Sequence, residues 1–79
     1  MKGDKEMDYP VIDIVATGRN INVLIHDHGY SVTDIANYLG TTDSLVYRYL
    51  RGIVLPSTDR LLALSVLLHV SINDILAVV

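Results

Sequence analysis

The side chains best suited to bind a ligand lie close together between Thr42 and Arg51. Polar, aromatic and basic residues recur there on one face of a predicted helix, and that face carries Asp43, Ser44, Tyr47, Arg48 and Arg51. The carboxylate and the two hydroxyl groups on this face can accept hydrogen bonds, and its two guanidinium groups can donate them and bind anions. A helix of this kind that follows a shorter amphipathic helix and a tight turn forms a helix-turn-helix, which indicates DNA as the ligand.

The preceding segment provides the first half of this motif. Its apolar residues recur at helical spacing and define one buried stripe of Val32, Ile35, Ala36 and Leu39. Gly40 ends this helix, because glycine adopts the left-handed conformation without a Cβ penalty. Thr42 is the predicted cap of the second helix, which turns Val46, Tyr49 and Leu50 inward. The small side chain of Ala36 permits a close crossing of the two helices, and Val46 fills the angle between them.

Composition limits the chain to one small domain. It has 79 residues, of which 51% are hydrophobic and 19% are charged, and this is typical of a globular protein. We expect a flexible tail over residues 1–10 and a helix-turn-helix domain over residues 11–79. The absence of cysteine excludes disulfides and thiolate metal sites. We find neither the apolar centre of a signal peptide nor a run long enough to span a membrane, so we expect a cytoplasmic protein without a membrane partner.

The charge of the chain is unusual for a DNA-binding protein. The formal net charge is −3, whereas non-specific DNA affinity comes mostly from lysine and arginine side chains that neutralise phosphates. After Lys5 the cations are Arg19, Arg48, Arg51 and Arg60. Two of these four lie on the proposed recognition helix, so the positive charge is sparse but well placed.

Three further helices complete the predicted fold. Val11–Ala16 is β-branched and apolar and is predicted to be extended or an edge strand, with Thr17 capping the first helix that ends near Gly29. Its buried stripe is Ile21, Leu24 and Ile25. Ser31 with Asp34, and Ser71 with Asp74, have the spacing of capping boxes.

The fourth helix begins at Ser57 or Thr58, after Pro56. Leu62 and Leu67 widen its apolar stripe, which predicts burial on two sides. A short fifth helix is predicted to be lined by Ile72, Ile75, Leu76 and Val79.

Neither a metal site nor an active site is predicted. His26 and His28 are two residues apart and therefore do not share a helix face, and neither has a carboxylate or cysteine at ligand spacing. His69 is predicted to be a surface residue that ends the fourth helix. A nucleophile with an adjacent base, paired carboxylates and a phosphate-binding glycine loop are all missing from the sequence. We therefore expect no enzyme, no cofactor and no bound metal.

The order of these elements resembles that of a known family. The shared landmarks are Gly29, Ser31, Ala36, Leu39–Gly40, VYRYLRG at 46–52 and LPSTDRLLALSVLLHVSINDIL at 55–76. From Thr17 to Leu76 the chain resembles the phage-repressor-like helix-turn-helix proteins, the class of the lambda repressor, Cro and the xenobiotic-response-element (XRE) regulators. The resemblance implies an all-α fold, a compact five-helix lambda-repressor-like DNA-binding domain.

The resemblance also implies a division of roles along the motif. Asp43, Ser44 and Arg48 would read base edges, and Arg48 has the geometry for a bidentate contact to guanine. Thr42, Tyr47 and Arg51 would lie near the DNA backbone. The free amides at Val32 and Thr33, at the start of the first motif helix, would face a phosphate.

Two positions depart from the family pattern. Ile25 and Leu50 stand where many members pair an arginine with a glutamate, and such a replacement of a buried pair by hydrophobes can be neutral or stabilising. The segment Ile53–Leu55 is apolar where the family is often basic, which removes phosphate contacts.

These observations predict a sequence-specific DNA-binding transcriptional regulator of bacterial or phage type, with double-stranded DNA as its partner. One recognition helix buries too little surface for tight binding, so we expect a homodimer whose helices lie about 34 Å apart. The predicted dimer interface is Ile75, Leu76, Val78 and Val79. The alternative is a helix-turn-helix fold used as a protein–protein interaction module, adaptor or antitoxin-like, which the negative charge and the apolar Ile53–Leu55 segment favour.

Overall fold

The computed structural model describes residues 9–79, and in them five helices follow one another in chain order. They are α1 (Ile14–Asp27), α2 (Val32–Leu39), α3 (Asp43–Arg51), α4 (Thr58–Leu68) and α5 (Ile72–Ile75). The predicted all-α class is confirmed for this part of the chain. Of the predicted tail, residues 1–8 lie outside the described residues.

Helix α1 begins earlier than predicted. Asp13 is its N-cap and accepts a hydrogen bond from the amide of Ala16 at 3.0 Å, so the predicted cap at Thr17 is wrong. Thr17 is 1% exposed, and its hydroxyl accepts a hydrogen bond from the amide of Ala77 at 2.9 Å. The local sequence did not reveal this role, because Thr17 satisfies a backbone group sixty residues away along the chain.

The predicted extended segment is shorter than expected. Ile12 forms an isolated antiparallel bridge with Val78, and the amide of Asp13 donates to the carbonyl of Ala77 at 2.8 Å. The amide of Val79 donates to the carbonyl of Val11, also at 2.8 Å. From Ile14 onwards the same β-branched run is helical, because the carboxylate of Asp13 caps it there.

Apart from the end of α5, the remaining predicted helix boundaries are confirmed. Both capping boxes form, Ser31 with Asp34 and Ser71 with Asp74. Gly40 ends α2 in the left-handed conformation with φ 69°, and Ser57 is the residue that caps α4. His69 ends α4 at φ 57° and is exposed, as predicted.

All five helices contribute to one core. The buried residues of this core come from each helix in turn, and they are Ile21, Ile25, Ile35, Ala36, Val46, Leu61, Leu64, Leu68 and Ile75. Leu50 packs against this core, and Ile25 lies inside it at 0% exposure. The two positions at which the resemblance implies a charged pair in many family members are therefore part of the apolar interior here.

Two expectations about the second half of the chain are wrong. Leu62 is 55% exposed and Leu67 is only partly buried, so α4 is buried on one side and not on two. Helix α5 ends at Ile75, so Leu76 and Val79, which were predicted to line it, lie outside it. The hydrogen bonds with residues 11–13 hold these last residues extended rather than helical.

Candidate nucleic-acid interface

Two glycines place α3 against α1. A Cβ on Gly18 would lie 2.5 Å from the carbonyl oxygen of Tyr49 and 2.7 Å from that of Leu50, so the two helix backbones touch here. Gly52 follows α3 at φ 72°, and a Cβ there would lie 2.5 Å from the Cα of Val15. The exposed face of α3 therefore has a fixed direction relative to α1. Sequence reasoning missed Gly18, although an isolated glycine inside a helical pattern is the signal for such a contact.

The turn between α2 and α3 has the predicted form. Ala36 is 2% exposed and Val46 is 0% exposed, so both side chains are buried, as a close crossing at Ala36 with Val46 between the helices requires. The amide of Thr41 donates to the carbonyl of Ala36 at 2.9 Å and closes the turn around Gly40. Thr42 then caps α3 by accepting a hydrogen bond from the amide of Leu45 at 3.2 Å.

The proposed reading face of α3 is open to solvent. All of its predicted contact residues are exposed, namely Thr42, Asp43, Ser44, Tyr47, Arg48 and Arg51. The guanidinium carbon of Arg51 lies 5.9 Å from the ring centre of Tyr47, within the range of a cation–π interaction. This contact favours one direction for Arg51 along the helix surface.

The opposite side of α3 is anchored through Tyr49. This residue is 4% exposed, which confirms its predicted place in the interior, and its hydroxyl accepts a hydrogen bond from Arg60 at 3.0 Å. Arg60 lies in the first turn of α4, so the contact joins α4 to the buried side of the recognition helix. Nothing in the local sequence pattern indicated this pair.

A hydrogen bond links the starts of α2 and α3. The hydroxyl of Thr33 donates to a carboxylate oxygen of Asp43 at 2.8 Å, and both side chains are exposed. This contact joins a predicted backbone-binding residue to a predicted base-reading residue. Since a carboxylate has about four acceptor positions, Asp43 can still accept a hydrogen bond from a second donor. Sequence reasoning placed both residues at the interface but did not pair them.

The start of α2 combines amides with a negative charge. The amides of Val32 and Thr33 lie in the first turn, beyond reach of carbonyls in their own helix, so they are oriented for an acceptor outside it. The amide of Ser31 already donates to the carboxylate of Asp34 at 2.9 Å. A phosphate at this helix start would meet two favourable amides and one nearby carboxylate.

The predicted dimer residues occupy different environments. Ile75 is 0% exposed and Leu76 is partly buried, whereas Val78 is 58% and Val79 is 87% exposed. Only the last two therefore offer substantial surface to a partner. In the apolar segment after α3, Ile53 is 63% and Val54 is 37% exposed.

The described residues show few features of other kinds of site. Residues 9–79 contain no group of three or more His, Cys, Asp or Glu side chains arranged to hold a metal ion. The same part of the chain encloses no pocket and has no helix long and apolar enough to cross a membrane. The rings of His28 and His69 lie 6.3 Å apart, a pairing that the sequence spacing of these residues does not reveal.

Solved structures with the same fold include several regulators. The restriction-modification controller protein C.AhdI from Aeromonas hydrophila is 25% identical, with a TM-score of 0.72, over 80% of this chain and 96% of that one. A transcriptional regulator from Listeria innocua is 27% identical, with a TM-score of 0.72, over 76% of this chain and 56% of that one. SinR, a master regulator for biofilm formation solved in complex with DNA, is 28% identical, with a TM-score of 0.64, over 72% of this chain and 92% of that one.

Sequence comparisons identify the family. A search of curated proteins finds no match. The family model described as helix-turn-helix matches residues 24–75, which include α2, α3, α4 and α5 and the end of α1. This match spans more than half of the chain and agrees with the structural similarity to phage-repressor-like and XRE-type regulators. The chain belongs to the helix-turn-helix family of DNA-binding transcriptional regulators.

Proposed function

We propose that the protein regulates transcription in a bacterium or phage by inserting α3 into the major groove of a specific DNA sequence. The observation that carries this proposal is the exposed face of α3, where Asp43, Ser44 and Arg48 lie together with their side chains in solvent. Arg48 would donate two hydrogen bonds to guanine, Ser44 would donate or accept one, and Asp43 would accept from cytosine. The compartment of action would be the one that holds the DNA, in bacteria the cytoplasm.

Contacts to the DNA backbone would surround this reading face. Thr42, Tyr47 and Arg51 would lie beside one strand, and the amides of Val32 and Thr33 would face a phosphate. The structural neighbour SinR was solved in complex with DNA, which supports a similar approach here. With a net charge of −3, the chain would neutralise few phosphates, so specific contacts would carry a large share of the affinity.

We propose a homodimer as the binding species. Two copies related by a two-fold axis would place two α3 helices about one helical turn apart, about 34 Å, and would read a palindromic site. This arrangement doubles the buried surface and the number of base contacts.

The test is a selection from a random duplex DNA pool at about 50 mM salt, where phosphate contacts are least screened. We expect enrichment of a palindrome by the natural sequence and its loss with Arg48→Ala. The matched control is Arg19→Ala, which removes an exposed arginine from α1 and should leave the enriched sequence unchanged. Absence of enrichment by the natural sequence, or equal loss in both variants, would contradict the proposed reading face.

A second candidate function is a protein–protein interaction module of adaptor or antitoxin-like type. The exposure of Ile53 and Val54 immediately after α3 favours it, because this apolar surface replaces expected phosphate contacts. A failed DNA selection combined with a partner that protects Ile53 and Val54 from hydrogen exchange would support this alternative.

A further inference from the structure

The exposed side of α4 is apolar where a solvated helix is normally polar. Between Asp59, in the first turn of this helix, and His69, its C-cap, the exposed side chains are Leu62 and Val66. Leu62 is 55% and Val66 is 64% exposed, and the two are four residues apart, on the same face. An exposed helix face of this kind usually contacts another protein surface.

The four residues form one stripe that is symmetric in sequence. Asp59, Leu62 and Val66 lie on one face of α4, and His69 follows at its C-cap. The four residues are spaced by three, four and three positions and extend over about 15 Å. The pair Leu62 and Val66 and the pair Asp59 and His69 have the same midpoint, Leu64. The stripe therefore presents an acid at one end, a histidine at the other and two apolar residues between them.

A second copy of this chain fits such a stripe. When two α4 helices pack antiparallel about a two-fold axis at residue 64, Leu62 of each copy meets Val66 of the other. Asp59 of each copy then meets His69 of the other, which joins a carboxylate to an imidazole. A histidine ring can donate an N–H to a carboxylate in both of its protonation states. A parallel pairing would instead bring Asp59 against Asp59, which is unfavourable.

We propose that the homodimer forms through antiparallel contact of the α4 stripe, Asp59, Leu62, Val66 and His69. This inference rests on the proposed function for the existence of a dimer. It assigns the interface to α4 in place of the C-terminal residues Ile75, Leu76, Val78 and Val79 that the sequence predicted. The assignment explains why the α4 sequence predicts burial on two sides while the single chain buries one. The partner copy covers the second side. A stripe of this length gives a small interface, so the dimer associates weakly without DNA.

The test measures self-association without DNA, so its failure is distinct from a failure of DNA binding. Sedimentation equilibrium between about 10 µM and about 1 mM covers the range expected of a small interface. We expect a monomer–dimer equilibrium for the natural sequence. Leu62→Glu and Val66→Glu each place two charges in the contact, and each should lower the association constant by about tenfold or more.

Two control variants separate this surface from others. Val23→Glu changes a valine on α1 that is 57% exposed, close to the exposure of Val66, and should leave the association constant unchanged. Val78→Glu tests the C-terminal residues and should likewise have no effect. A chain that stays monomeric throughout the range would overturn the proposal. Loss of association in Val78→Glu or Val23→Glu, together with unchanged association in Val66→Glu, would also overturn the proposal.

A charge exchange tests the antiparallel register. Asp59→His brings two histidines together and His69→Asp brings two carboxylates together, so each single variant should weaken association. The double variant recreates both contacts with their partners exchanged and should restore it. Circular dichroism confirms folding of each variant. A double variant that associates no better than the weaker single variant would overturn the antiparallel assignment.

Discussion

Helices α3 and α4 each present a face to solvent, but the two faces differ in chemistry. The α3 face carries a carboxylate, two hydroxyl groups and two guanidinium groups, whereas the centre of the α4 face consists of Leu62 and Val66. Water solvates the polar groups of α3 until a ligand with matching donors and acceptors replaces it. The apolar side chains of α4 gain free energy from any surface that removes them from water. Exposure alone therefore does not define a site, because the side-chain chemistry determines which partner fits.

The two faces also differ in how they are positioned. The contact of Gly18 with the carbonyls of Tyr49 and Leu50 fixes the buried side of α3. The hydrogen bond from Arg60 to the hydroxyl of Tyr49 connects α3 to α4. Helix α4 relies on the apolar packing of Leu61, Leu64 and Leu68. The direction of α3 therefore depends on a close backbone approach, and that of α4 depends on side-chain volume.

The largest expected effect comes from closing this backbone approach with Gly18→Ala. Helix propensity alone would stabilise the variant by about 1 kcal/mol. The added Cβ would however meet backbone oxygens that cannot move aside as a flexible side chain does, and such overpacking costs about 3 kcal/mol. We expect a net loss of about 2 kcal/mol in the free energy of unfolding, measured by urea denaturation.

Gly29→Ala is the matched control for this variant. Gly29 has φ 76° and open space around its Cβ position, so alanine there adds conformational strain without a clash. That strain costs about 1–2 kcal/mol, with no repacking between α1 and α3. We therefore expect Gly18→Ala to weaken specific DNA binding beyond its effect on folding, and Gly29→Ala not to do so. An increase in stability for Gly18→Ala would contradict the close approach.

The success of sequence reasoning followed the range of the interactions. Both capping boxes and the left-handed turn at Gly40 were predictable, because a cap joins residues three apart and a turn depends on one residue type. The contact of Thr17 with Ala77 was not, because it joins positions sixty residues apart. The predicted cap at Thr17 failed for this reason.

The candidate site shows the same limit. Helical periodicity predicted which residues of α3 face outward, and each of them is exposed. It did not predict the pairing of Thr33 with Asp43, which depends on the angle between two helices. The apolar pattern of α4 predicted two buried sides, but a pattern records only a preference for burial and does not identify the surface that buries each side.

The next largest effect separates two arginines on the same face of α3. Arg48→Ala should cost about 1–3 kcal/mol on the selected sequence and should relax its base preference, because it removes a bidentate contact. Arg51→Ala should weaken binding to selected and scrambled duplexes by similar amounts, because it removes a backbone contact.

Titrations of both duplexes at several salt concentrations measure this difference. Arg51→Ala should reduce the dependence of affinity on salt, since each phosphate contact releases counterions on binding. Equal losses for the two variants on both duplexes would remove the division between base reading and backbone binding. The chemical difference between the exposed faces of α3 and α4 would not be affected, because neither arginine lies on α4.

The smallest effect concerns the link between α2 and α3, tested with Thr33→Val. The substitution removes the hydroxyl that donates to Asp43 and keeps nearly the same shape. The bond is exposed, so we expect the free energy of unfolding to change by less than about 1 kcal/mol. DNA binding should respond more clearly, because a freed Asp43 carboxylate no longer has one preferred direction towards the bases.

A double-mutant cycle with Asp43→Ala decides whether Thr33 acts through this carboxylate. If it does, Thr33→Val should alter base preference in the natural background and have little further effect once Asp43 is alanine. The expected coupling in binding free energy is about 0.5–1 kcal/mol. Additive effects would mean that Thr33 contacts the DNA backbone directly. In that case the two helix starts would act as separate contacts, and the base-reading surface would be confined to α3.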